Sequence, residues 1–217
     1  VKHERKRSDG EATRERLLWA AEELLSLEGL PGVTTARLAA AAGIVQSGFY
    51  AHFGSVEECM VAVAERIGER VLRPVEKGLA TLRARGPSDP ELIRAQYQRV
   101  FGVLEAEWRF VELVLRYHRE PTPLGQVLSG LMARLRRLIV DHLLVIGEGV
   151  GLDRRHLPQI GFCADLVVAL QLSSLETYVK DRSLEQEMIF EVLTQETLAL
   201  IARVLEWTLG EGQPPRD

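Results

Sequence analysis

Val33-Thr34-Thr35-Ala36-Arg37-Leu38-Ala39-Ala40-Ala41-Ala42-Gly43-Ile44-Val45-Gln46-Ser47-Gly48-Phe49-Tyr50-Ala51-His52-Phe53 is the stretch whose reading decides the fold. It parses as two short helices around a tight turn at Gly43. Thr34 can cap the first helix, its hydroxyl accepting from an N–H left free at the helix start. Leu38, Ala39 and Ala42 give that helix a small apolar face, which a second helix can cross closely. Gly43 ends it where left-handed backbone costs little. In the second helix, Val45 to Phe53, Phe49 and Phe53 lie four apart and are expected in the core. Gln46, Ser47, Tyr50 and His52 can point elsewhere. This is a helix-turn-helix, whose second helix can enter a DNA major groove.

Ala39-x-x-Ala42-Gly43-Ile44, followed by Gly48-Phe49-Tyr50-Ala51-His52-Phe53-Gly54-Ser55, resembles the signature of the TetR family of one-component bacterial regulators. The resemblance covers about Thr13 to Met60. It implies an all-α protein with a helix-turn-helix DNA-binding domain at 13–55. A larger helical bundle at 56–217 would bind ligand and dimerise, with 56–73 as the linking helix. It also implies a homodimer on a palindromic site in double-stranded DNA, a small-molecule effector and repression as the mode of control. Tyr50 and His52 stand where family members commonly meet backbone phosphates. Two departures stand out. The family often has a Lys directly after the position of Ser55, where it can meet a phosphate, and here that residue is Val56. A large aliphatic residue usually follows three places on, and here it is Cys59.

The remaining DNA contacts follow from side-chain chemistry. Gln46 can bond the edge of adenine, and Val45 and Ala51 can touch a thymine methyl. Ser47 and Gly48 are small enough for close approach to a duplex, and Thr34 completes the set at the start of the first helix. Residues 1–12 read as a flexible basic arm holding Lys2, His3, Arg5, Lys6 and Arg7. Lys6, Arg7 and Arg14 are the phosphate candidates there, and Arg16 lies close by. A solvated tail is the alternative reading of the arm.

The chain has 217 residues, 46% of them hydrophobic, with 27 basic and 31 acidic side chains and a net charge of −4. A DNA binder needs a local basic face rather than a basic total. Cys59 and Cys163 lie far apart without a paired pattern, which fits a reducing, cytoplasmic setting. No apolar run is expected to span a bilayer, since Asp141 and His142 interrupt Leu138 to Ile146, and no signal-peptide pattern precedes the first helix.

Along the chain, Leu17, Ala21, Leu24 and Leu25 predict a first helix from about Thr13 to Glu28. Ser55, with Glu57 and Glu58 behind it, caps a fourth helix. Pro74 is expected to kink or end that helix, with a second piece at 75–85. Asp89-Pro90 starts a helix whose apolar periodicity runs unbroken to about Glu120. Residues 124–147 give another helix or pair of helices, Gly147, Gly149 and Gly151 a turn, and Asp153 to Lys180 a helix with a small break near Pro158. Ser183 and Gln186 form a capping-box pair for the last helix, which reaches about Leu209. The tail from Gly210 to Asp217 reads as disordered. No segment alternates like a strand.

The last two long helices are apolar over a wide arc, which suggests burial on two sides. The resemblance implies that these two helices build a four-helix dimer interface, with Leu166, Leu170, Ser174, Ile201, Val204 and Leu205 as the expected contacts, and a purely internal core is the alternative. Tyr97, Phe101, Trp108, Tyr117, His118, His142 and Phe162 are the candidates to line a ligand cavity, or else fill core. They favour an apolar effector over a sugar phosphate. No cofactor or metal site is expected. There is no His-Glu-x-x-His, no Gly-Lys-Ser/Thr phosphate loop and no nucleophile elbow, so an enzyme is disfavoured. A dimeric helical scaffold that has lost specific DNA binding is the alternative, prompted by Val56 and the uncharged recognition helix.

Overall fold

The computed structural model describes residues 2–147 and 154–210, and side chains within 9–147 and 155–206. Among these residues all the regular secondary structure is helical, without strands. The helices are α1 (Lys2–Glu28), α2 (Thr35–Ala41), α3 (Gln46–Phe49), α4 (Val56–Arg85), α5 (Pro90–Ala106), α6 (Trp108–Tyr117), α7 (Pro123–Gly147), α8 (Leu157–Lys180) and α9 (Gln186–Gly210). The expected turn glycines at 149 and 151, the start at Asp153 and the tail after Gly210 lie outside the described residues.

Packing divides the chain into two compact units. One comprises 1–70 with 107–132, and the other 71–106 with 133–217. These do not coincide with the division at 55/56 expected from role, because α6 and the first turns of α7 pack with the N-terminal helices. In the first unit α1 packs on α2 and α6, and α2 on α3. Leu17, Ala21, Leu25, Leu38, Phe49, Phe53, Met60 and Val63 are its buried centre. Close approach of α4 and α7 depends on Gly68, where a Cβ would stand 2.5 Å from Leu131 Cδ1. In the second unit α5, α8 and α9 pack against one another.

Four expectations about the elements are corrected. First, α1 begins at Lys2, so residues 2–12 are helical rather than a flexible arm. Lys, Glu and Arg are good helix formers. Thr13 does not start the helix: its Oγ1 donates back to the Asp9 carbonyl at 2.9 Å, as a hydroxyl inside a helix does. Second, α4 runs through Pro74 to Arg85 without a break. The Pro74 carbonyl gains a further donor, Gln96 Nε2, at 3.3 Å.

Third, the helix expected from Pro90 to Glu120 breaks at Glu107, whose φ of −102° and ψ of 28° are not helical. The apolar period carries on across the break. What holds Glu107 is tertiary: Arg70 Nε donates to its Oε1 at 2.6 Å. Fourth, Ser183 does not cap α9. Its hydroxyl donates to Asp181 Oδ1 at 2.6 Å, while Gln186 Nε2 reaches Glu105.

The Ser55 cap forms as expected. Ser55 Oγ accepts from Glu58 N at 3.0 Å, and Glu58 Oε2 accepts from Gly54 N at 2.7 Å. α8 is also long and apolar enough, by length and composition alone, to cross a membrane. That corrects the expectation of no such run. In the structure this helix packs on α5 and α9 as part of the second unit.

Candidate functional site

The helix-turn-helix is assembled by local chemistry. Thr34 Oγ1 accepts from Arg37 N at 3.4 Å and so starts α2. Gly43, with φ of 69°, turns the chain out of it. A left-handed residue here is what lets Ile44 N donate back to the Ala39 carbonyl at 2.9 Å. Leu38, Ala39, Ala42, Phe49 and Phe53 are all buried. Phe49 and Phe53 pack ring to ring, their centroids 5.8 Å apart.

With that face spent on the core, the opposite face is fixed in space. Val45 is 72% exposed and Tyr50 58% exposed. Gln46, Ser47 and Thr34 are exposed beside them, and Gly48 and His52 are half-buried. The surface is uncharged and small in profile. Gly48 is informative, because neither its backbone nor its neighbours require a glycine. A Cβ there would meet Ile44 Cδ1 at 3.6 Å, an ordinary contact.

The cations around this surface are mostly committed to the scaffold. Arg37 is paired with Glu28, and that bond holds the Glu28 carboxyl below its ordinary range. Arg16 Nε donates to the Ala42 carbonyl at 3.1 Å, fastening α1 to the turn. Arg14 is exposed, with its guanidinium carbon 4.8 Å from the centre of the Phe53 ring. Lys6 and Arg7 lie on α1, and their side chains are outside the described residues. Val56 is half-buried, and the Glu57 carboxylate behind it accepts from Leu124 N at 3.4 Å.

The second unit holds a cavity of about 80 Å³. α4, α5, α7, α8 and α9 all contribute to its wall, which among the described residues carries no charged side chain. Its polar groups are Gln96, Tyr97, His142, Gln171 and Thr197. Tyr97 hydrogen-bonds Thr197, and burial pushes its phenol up to about 12. Of the seven expected ligand residues, the wall brings together Tyr97 and His142.

The other five do not line this cavity. Phe101 is buried in core, edge-on to Phe190 with centroids 5.4 Å apart. Trp108, Tyr117 and His118 belong to the first unit, where His118 Nδ1 pairs with the Val114 carbonyl at 2.8 Å. Phe162 is 57% exposed. Sequence reasoning passed over Gln96, Gln171 and Thr197. Gln171 left one signal, as a single amide inside the apolar run from Leu166 to Leu175.

The expected dimer residues also divide. Leu166, Leu170, Ser174 and Leu205 are half-buried within the chain. Ile201 and Val204 are buried within the chain, and Ile201 lines the cavity. Phe162 stands four residues before Leu166 and eight before Leu170, on the same face of α8.

Comparison with known proteins agrees with this architecture. Residues 17–63 match the family model described as bacterial regulatory proteins, tetR family. Similar solved structures include a tetR-family transcriptional regulator from Streptomyces coelicolor, at 15% identity and TM-score 0.69, covering 92% of this chain and 89% of that one. A TetR-like transcriptional regulator from Rhodococcus sp. RHA1 has 20% identity and TM-score 0.61, covering 93% and 97%. The transcriptional regulator FadR from Bacillus subtilis, in complex with stearoyl-CoA, has 15% identity and TM-score 0.61, covering 86% and 96%. No curated protein matches the chain. At these identities the solved structures speak to the fold, and the match at 17–63 speaks to the head.

Proposed function

We propose that this TetR-family chain is a ligand-responsive transcriptional repressor of the cytoplasm, not an enzyme, that binds a palindromic operator as a homodimer. The observation that carries the reading is the face of Val45, Gln46, Ser47, Gly48 and Tyr50. It is exposed except at half-buried Gly48, backed by the buried Phe49 and Phe53, and lies inside the segment that matches the family. Gln46 reads base edges, Val45 meets thymine methyls, and Tyr50, His52, Thr34 and Arg14 touch the backbone. Lys6 and Arg7 near the start of α1 supply the phosphate attraction that α3 lacks.

The dimer forms through the α8 face of Phe162, Leu166, Leu170 and Ser174, with Leu205 from α9. Phe162 is supported by its exposure, since a large ring left in water is unfavourable. A twofold dimer sets two α3 helices on two half-sites. A small, largely apolar effector enters the cavity of the second unit and favours the arrangement that cannot hold both. Coupling of roughly 1–3 kcal/mol would lower operator affinity about 5- to 150-fold.

Selection from a pool of random duplex DNA with the purified chain tests this reading. The expected result is a palindromic consensus. Absence of enrichment at low salt without ligand would instead favour a helical scaffold that has lost DNA reading. That alternative is favoured by one observation: residues 1–55 carry seven basic and seven acidic side chains, with no net charge to attract a duplex.

A further inference from the structure

Two polar atoms on the wall of the second unit's cavity have no partner among the described residues. They are His142 Nδ1 and Gln171 Nε2, and both are buried. His142 is only 5% exposed. Its other ring nitrogen, Nε2, lies 3.2 Å from the Pro87 carbonyl. A carbonyl only accepts, so Nε2 carries the proton and Nδ1 presents a lone pair. Gln171 Nε2 is an amide donor. The two orphans are therefore opposite in kind, one needing a donor and the other an acceptor.

The remaining polar groups are occupied. Gln96 bonds Pro74 and Arg99, and Tyr97 bonds Thr197. Leaving two buried polar atoms unpaired is unfavourable, and a molecule that satisfies both recovers that loss on binding.

A hydroxyl both donates and accepts through one oxygen. It can donate to Nδ1 and accept from Nε2. A carboxylate or phosphate has no proton to give Nδ1, and no Lys or Arg on the wall would compensate its buried charge. An ammonium finds no carboxylate. The volume, about 80 Å³, is smaller than the roughly 150 Å³ of an engineered dry cavity that takes up benzene. A short branched chain is the scale that fits this volume, and a single ring enters only where the wall yields.

We propose that the cavity recognises a small uncharged alcohol or phenol, its hydroxyl bridging His142 Nδ1 and Gln171 Nε2 and its hydrocarbon body against Val75, Leu79 and Ile139. This rests on the effector reading of the same cavity and narrows it to a chemical class.

The test uses calorimetry on the full chain without DNA, with phenol, toluene and benzoate as probes. Phenol is expected to bind roughly tenfold or more tighter than toluene, and benzoate not measurably. Gln171→Leu is expected to cut phenol affinity about tenfold and leave toluene unchanged or tighter. His142→Leu is expected to do the same, and Gln171→Leu serves if the loss of the Pro87 bond impairs folding. Equal binding of phenol and toluene, tight binding of benzoate, or no uptake of phenol in the millimolar range would each overturn the proposal.

The wild-type comparison of probes needs no variant. DNA selection stays independent of it: a palindromic consensus without phenol uptake removes the hydroxyl assignment alone. Phenol uptake that leaves selected DNA bound keeps the assignment and removes the effector reading.

Discussion

Gln96 fills the notch that Gly78 leaves in α4: a Cβ at 78 would stand 1.5 Å from Gln96 Oε1. The amide is held there by the Pro74 carbonyl at 3.3 Å and by Arg99 Nη1 at 2.9 Å. Gly78→Ala would ordinarily stabilise a helix by about 1 kcal/mol. Here it must evict a buried amide and break both bonds, so a net loss of about 1 kcal/mol is expected. In a Gln96→Ala background the eviction vanishes and Gly78→Ala should stabilise. Urea melts of the four proteins measure the coupling, expected at roughly 1–2 kcal/mol. Additive effects would mean that Gln96 swings clear without loss.

Arg16 is a scaffold residue although it sits among the expected phosphate contacts. Its guanidinium joins the Ala42 carbonyl at 3.1 Å and Thr13 Oγ1 at 2.9 Å. Arg16→Ala should lower stability by about 1–2 kcal/mol, the loss of a charge-assisted bond. On a selected operator it should weaken binding without changing the slope of log affinity against log salt. Arg14→Ala, which removes an exposed cation, should lower that slope by about one. A salt slope that falls equally in both would return Arg16 to the phosphate contacts.

The helix-turn-helix was legible in the sequence because its determinants are local. Thr34 caps within three residues, Gly43 supplies one left-handed turn, and Phe49 and Phe53 share a face by spacing alone. The break at Glu107 was not legible. The apolar period of α5 continues into α6, and the ion-pair partner of Glu107, Arg70, lies 37 positions away. Phe162 failed for a related reason. α8 is apolar around most of its circumference, so composition cannot separate the side facing the rest of the chain from the side facing water. Tyr97 and His142, a phenolic and a titratable group in apolar stripes, do reach the cavity wall. Gln171 too stands in an apolar run, but an amide carries no charge to draw notice.

Both cysteines should be silent in the folded protein. Cys59 and Cys163 are buried to 0% and 1% exposure. Burial pushes the Cys59 thiol up to about 12 and raises that of Cys163. The nucleophile is the thiolate, so both access and ionisation oppose reaction. Labelling with a disulfide reagent at neutral pH should be at least roughly 100-fold slower than in urea. The two thiols lie in different compact units, so their separate labelling rates in mild denaturant report which unit opens first. Fast labelling of either in buffer would contradict its burial.

His142 should make folding sensitive to mild acid. Burial first, and the nearby Arg83 charge second, lower its pKa from the usual 6.5 to about 4, against the opposing bond to the Pro87 carbonyl. Above 6.5 the imidazole is neutral in both folded and unfolded chains, and its contribution to stability is fully present. As pH falls below 6.5 the unfolded chain takes up a proton that the folded chain refuses until about 4. Stability is therefore lost across that window. Each unit of difference is worth about 1.4 kcal/mol, so the loss at pH 5 relative to pH 7 should reach roughly 2 kcal/mol from this residue. His142→Gln removes the titration while keeping an amide that can donate to the Pro87 carbonyl. Urea unfolding of the two proteins at pH 7 and pH 5 separates this residue from the carboxylates. The wild type should lose more stability than the variant by about that amount, and equal losses would show that His142 is protonated without strain in the folded chain.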